Sequence, residues 1–141
     1  MAIHFFSEDV PFELPEKLRR KRWLKSLATT AGYRIQELNY VFCSDEYLFQ
    51  MNVDYLNHDT YTDIITFDNS EKEFALEGDI FISIDRVREN AKVHAQEEEE
   101  EINRVLAHGL LHLMGYKDKS KEETSLMREK EEEAIELYRL N

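Results

Sequence analysis

Two histidines, His108 and His112, stand four residues apart in the stretch His108-Gly109-Leu110-Leu111-His112-Leu113-Met114-Gly115-Tyr116-Lys117-Asp118. On a helix that spacing puts both imidazoles on one face, a turn apart, where they can share one ion. Gly115 can take the left-handed conformation that ends a helix and turns the chain back. Asp118 follows ten residues after His108, placed to bring a third ligand from a returning strand. Three protein ligands with an open fourth position belong to a catalytic rather than a structural zinc, and so to a hydrolase. Taken alone, the His pair could equally be two satisfied core histidines; the glycine and the aspartate favour the metal. Asp118 is the favoured third ligand, with His4, His58, His94 or no third ligand as the alternatives.

The residues around the pair say where it should sit. At 100° per residue, Ile102, Val105, Leu106, Gly109, Leu110 and Leu113 form one apolar stripe. His108 and His112 fall at its edge, on the side of Glu101 and Arg104, so they can face a cleft at the end of a core. Zinc peptidases carry H-E-x-x-H, whose Glu activates the metal-bound water. Here the residue after the first His is Gly109, which has no side chain, so a peptidase of that type is the least favoured hydrolase.

The elements that must position the site follow from hydrophobic period and punctuation. Ile3–Phe6, Asn39–Ser44, Asp63–Phe67 and Asp79–Ile84 read as strands. Helices are expected from Pro15 to Thr30, closed by Gly32, and from Ser44 or Asp45 to Leu56, with Tyr47, Leu48, Met51 and Tyr55 on one face. Further helices should begin near Asp85, span Glu98–Met114 with the histidines, and span Glu122–Leu140, packed by Leu126, Ala134 and Leu137. Strands interleaved irregularly with helices imply an α+β fold, a small mixed four-stranded sheet covered by helices. Residues 1–141 show no repeat or linker and read as one domain.

Composition sets the bounds. With 141 residues, 42% hydrophobic and 34% charged, the chain can bury a sizeable core and reads as globular. No apolar run approaches membrane-spanning length, and the N-terminus lacks a signal peptide's pattern. The one cysteine, Cys43, permits no internal disulfide and should pack inside a strand, all of which fits the cytoplasm. A net charge of −12 argues against a nucleic-acid partner, but its distribution weakens the objection. Lys17, Arg19, Arg20, Lys21, Arg22 and Lys25 cluster on the first helix, while acid gathers at Glu97–Glu101 and near the C-terminus. The basic cluster is either a surface for RNA or the solvated face of a helix carrying Leu18, Trp23, Leu24 and Leu27.

Residues 108–116 resemble the H-G-x-L-H-L-x-G-Y-D-H signature of the YbeY family, bacterial metallo-endoribonucleases that mature ribosomal RNA. Met51 to Phe67 resembles the family's L-N-x-x-Y-R-G-K-D-x-P-T-D-V-L-S-F block, and Glu77 to Ser83 its L-G-D-I-x-I-S strand. The likeness runs in order from about residue 38 to the end. It implies a zincin-like metal-binding helix beneath the sheet, one Zn²⁺ held by His108, His112 and Asp118, and hydrolysis of single-stranded RNA. It also implies the 3′ end of the small-subunit ribosomal RNA as substrate and the small ribosomal subunit as partner, with no membrane and no DNA. Asp118 stands where the family has His and Lys117 where it has Asp; a carboxylate leaves the site at net +1, so its water should be less acidified. Leu56 stands where the family has an Arg suited to holding the scissile phosphate, and His58 where it has Lys, while Asp59 matches the family's Asp. His58 could give a proton or a phosphate contact, and Arg104 or Lys117 could supply the missing charge. A zinc-containing ribosome assembly factor that has lost cleavage is the second reading, and a zincin-like hydrolase of another substrate the third.

Overall fold

The computed structural model describes residues 2–58 and 60–140, so the match at Asp59 lies outside the described residues. The elements run β1 (Ile3–Ser7), α1 (Lys17–Thr30), β2 (Arg34–Cys43), α2 (Asp45–Leu56), β3 (Ile64–Asp68), β4 (Ala75–Ser83), α3 (Ile84–Val93), α4 (Glu98–Leu113) and α5 (Lys121–Leu140). The four strands form one mixed sheet in the order β1-β2-β4-β3. β1, β2 and β4 are parallel, and β3 pairs antiparallel with β4. The α+β architecture expected from the sequence is the one observed.

Alternation along the strands divides the interior into two cores of unequal size. Leu38, Tyr40 and Phe42 of β2 and Leu76, Ile80 and Ile82 of β4 face α1, α4 and α5, and pack with Trp23, Leu24, Leu106 and Leu110. Cys43 and Ile65 point the other way, into a smaller core closed by Leu48 of α2 and edged by Tyr47, Met51, Phe67 and Phe81. Cys43 is therefore buried as expected, and burial pushes its thiol up to about 12, with nearby acids adding to the shift.

Several boundaries differ from expectation for local reasons. β2 starts at Arg34 rather than Asn39, because a register shift between Ile35 and Glu37 breaks the alternation that marks a strand. α1 begins at Lys17, two residues past Pro15, behind a left-handed Glu16. On α5 the buried stripe is Met127, Glu131, Ala134, Ile135 and Tyr138, one position on from the expected Leu126, which is 43% exposed. On α2, Leu48 and Asn52 are buried while Tyr55, expected on the inner face, is 71% exposed. Ser44 caps α2 as expected, its hydroxyl accepting from the Tyr47 amide at 3.1 Å.

The basic cluster of α1 is in part structural. Arg20 is fully buried, and its Nε donates to Asn103 Oδ1 of α4 at 2.9 Å. Arg19 donates to the Tyr138 carbonyl of α5 at 2.7 Å and lies 4.0 Å over that ring. Lys17 pairs with Glu13. Two of the six, Arg19 and Arg20, thus dock α1 onto its neighbours, which neither of the two sequence readings foresaw. No helix among the described residues is long and apolar enough to cross a membrane.

α4 is the central helix, with α3 and α5 beside it and the β3–β4 edge of the sheet against it. Gly109 makes the close approach possible: a Cβ there would lie 2.8 and 3.1 Å from two side-chain carbons of Ile80 and 3.2 Å from one of Ile64. This also explains why a peptidase-type Glu is absent, since a side chain at this position would enter the sheet. Gly109→Ala should lower stability to urea. Overpacking of about 1–3 kcal/mol outweighs the roughly 1 kcal/mol gained in helix propensity. A raised urea midpoint would contradict the close contact.

Candidate metal centre

The end of α4 builds the site. The Gly115 amide donates to the His112 carbonyl at 3.0 Å and the Tyr116 amide to the Leu111 carbonyl at 3.0 Å, with Gly115 at φ 101. This is a Schellman closure, and it needs glycine at the left-handed position. The reversal brings the Tyr116 carbonyl against His112 Nδ1 at 3.0 Å. The chain then runs as a loop, not as the strand expected from the sequence, and carries Asp118 back over the histidines. The loop is held at its far end by Ser120 and Glu123, which cap α5 reciprocally: the Glu123 amide donates to Ser120 Oγ and the Ser120 amide to Glu123 Oε1. Thr124 Oγ1 also donates to the Asp118 carbonyl at 3.0 Å.

Three donor atoms converge there. His108 Nε2 and His112 Nε2 are 2.9 Å apart, and Asp118 Oδ2 lies 3.3 Å from the first and 3.6 Å from the second. Both Nδ1 atoms are already engaged, His112 with a carbonyl and His108 with Glu131 Oε2 at 2.6 Å. These partners accept, so each neutral ring carries its hydrogen on Nδ1 and presents a bare Nε2 lone pair to the other. Two lone pairs and a carboxylate so close repel one another without a cation between them. Ligand atoms about 2.0–2.1 Å from a tetrahedral ion lie roughly 3.3 Å from each other, the spacing seen here. The donor set thus fits a divalent ion, and among the described residues it is the one group of three such donors this close together.

A second layer fixes the donors. Glu131, buried on α5, orients His108 and also accepts from Arg104 Nη1 at 3.3 Å. Arg104 further meets Glu132 at 2.6 Å and Glu101 at 3.7 Å. A carboxylate behind a ligating imidazole fixes its tautomer and raises its basicity. In the metal-free protein, burial opposes charge on His108, but the Glu131 hydrogen bond and charge, with Asp118 and Asp63, outweigh it and raise its pKa.

The donors open onto a cleft of about 900 Å³. His58, Leu56, Asp63, His94, Glu101 and Arg104 also line it. His58 is exposed just past α2, where its backbone amide donates to the Asn52 carbonyl at 3.0 Å. His4 pairs with Glu37 at 3.4 Å on the β1–β2 side and does not reach the cleft. Burial raises the carboxyl of Asp63, against the pull of His108, and that of Glu101, against the pull of Arg104. Sequence reasoning missed Glu131, Asp63 and Glu101. Glu131 had a legible signal, since it shares the buried phase of α5 with Met127, Ala134 and Tyr138, where an unpaired carboxylate is unfavourable.

The family model Endoribonuclease YbeY matches residues 8–139. The chain belongs to the YbeY endoribonuclease family. Its relatives include Endoribonuclease YbeY of Cytophaga hutchinsonii, 56% identical over 136 residues that cover 96% of this chain and 95% of that one. The protein of the same name from Flavobacterium johnsoniae is 47% identical over 133 residues, 94% of this chain and 95% of its own. The solution structure of TM1509 from Thermotoga maritima matches 96% of the chain and 88% of its own, with a TM-score of 0.69 and 25% identity. Within this family fold, Asp118 stands with the two histidines, while Leu56 lines the same cleft and offers no charge.

Two outcomes test the supporting layer. Glu131→Gln should weaken metal binding by about 10–100-fold, read by competition with a chromogenic chelator, as loss of an outer-shell partner does elsewhere. Unchanged affinity would show that Glu131 does not orient His108. A folded pKa raised above 6.5 makes His108 stabilising below that pH, an effect lost as pH rises through the folded value. Chelator-treated protein should therefore melt at progressively lower temperature as pH rises above about 6.5, with the trend flattened in Glu131→Gln.

Proposed function

We propose that the chain forms one zinc-dependent endoribonuclease domain that cleaves single-stranded ribosomal RNA in small-subunit maturation. The observation carrying this reading is the convergence of two bare imidazole nitrogens and the Asp118 carboxylate on an open cleft, in a chain of the YbeY endoribonuclease family. His108 and His112 through Nε2, and Asp118 through Oδ2, would hold the ion. Bound there, zinc supplies Lewis acidity toward a phosphoryl oxygen and a water acidic enough to attack near neutral pH.

The chain's own groups do the rest. Glu131 keeps the His108 ring aimed, and the His112 ring is aimed by the Tyr116 carbonyl. Arg104 acts through Glu131 rather than at the phosphate, because its guanidinium is already shared among three carboxylates. Asp63, its carboxyl raised by burial and facing the cleft, is suited to carry a proton between water and the departing ribose oxygen. His58, exposed on the rim, is the second group placed for a proton or phosphate contact. The RNA substrate and the small ribosomal subunit as partner rest on the family's named activity and on its resemblance in sequence.

Purified protein should cleave a single-stranded ribosomal RNA fragment. His112→Ala or chelator should lower the rate by on the order of a hundredfold or more. Zinc retained by the wild type with no cleavage would favour the ribosome-binding factor instead.

A further inference from the structure

A phosphodiester entering the cleft meets a predominantly acidic wall. Asp63, Asp68, Glu101, Asp118 and Glu131 all line it. Three permanent cations stand against them: Arg104, Lys119 and Arg128. Arg104 is 7% exposed and its guanidinium is held among Glu101, Glu131 and Glu132, so it is turned away from a phosphate in the cleft. Leu56, which borders the same cleft from α2, brings no charge. Lys117, the other cation considered from sequence, is not among the residues lining it.

Arg128 differs from Arg104 in each respect. It is exposed on α5, and among the described residues no carboxylate lies close enough to form an ion pair with it. It stands one helical turn before Glu131, the residue that orients His108, and lines the same cleft as His108, His112 and Asp118. Its charge is felt at Glu101 on the cleft wall. A guanidinium free of acids, beside a phosphodiester-binding centre, can grip two phosphate oxygens through its planar fork. Lys119, one residue past Asp118, adds a point charge at the same rim.

We propose that Arg128 is the phosphate-holding residue of this enzyme, gripping the RNA backbone from α5. The assignment rests on the nuclease reading above. It explains how an acidic cleft can receive RNA without an arginine at position 56.

The test is equilibrium binding of a short fluorescent single-stranded oligoribonucleotide, with chelator present to prevent cleavage, alongside cleavage kinetics of the zinc-loaded protein. Arg128→Ala should weaken binding by about tenfold to a hundredfold, the scale of one charge-assisted contact. It should also make the dependence of log binding constant on log salt shallower by about 0.7, one phosphate contact fewer. Arg128→Lys should restore the salt slope but only part of the affinity. Zinc content and melting temperature should stay at wild-type values, since Arg128 touches no ligand. An Arg128→Ala protein that binds RNA with wild-type affinity and salt slope would overturn the assignment and leave the nuclease reading standing. A wild-type protein that neither binds nor cleaves RNA would remove that reading and this assignment together.

Discussion

Two imidazole nitrogens 2.9 Å apart, each with its hydrogen committed elsewhere, are not a resting arrangement for a protein interior. Neutral lone pairs repel at that distance, and Asp118 brings a negative charge to the same point. A cation between the donors, or in its absence a proton on His108, relieves that repulsion, and much of the structure can be understood as the means of holding the donors together. α4 is buried on nearly every side, which fixes the rise and phase of the two histidines. Gly115 folds the chain back so that a carbonyl takes the His112 hydrogen. Glu131, a long way along the sequence, takes the hydrogen of His108, and Arg104 pins Glu131.

Charge is organised around that point in layers. The donors lie innermost, the buried carboxylates of Glu131 and Glu101 and the Arg104 guanidinium next, and freely charged side chains at the rim. A buried Arg–carboxylate cluster adds little net stability, because desolvation opposes the attraction. Its value here is geometric, since it leaves Glu131 one orientation from which to meet His108. A strongly acidic chain can therefore act on a polyanion if it concentrates its few free cations where the substrate enters.

The parts of this design that repeat locally were legible in the sequence. The helical spacing of His108 and His112, the glycine reversal and the order of strands and helices are all near-neighbour patterns, and they foretold the α+β sheet and the meeting of the two histidines with Asp118. What escaped depended on distant pairing. Whether Arg104 is free or paired depends on Glu131 and Glu132, a full helix away. Arg19 and Arg20 read as surface charge, yet tertiary contacts to Tyr138 and Asn103 make them docking residues. Arg128 carried no signal in a helix crowded with charges, and only the position of α5 against α4 sets it apart. The early start of β2 was hidden by a bulge, and the segment to Asp118 is a loop because the capping of α5, rather than a sheet, holds its far end.

The most direct test is anomalous diffraction at the zinc absorption edge from crystals of the zinc-loaded protein. The account predicts one strong peak bounded by His108 Nε2, His112 Nε2 and Asp118 Oδ2, with the fourth direction open to the cleft. A peak ligated by His58 or His94 in place of Asp118, or no peak between the two histidines, would contradict it.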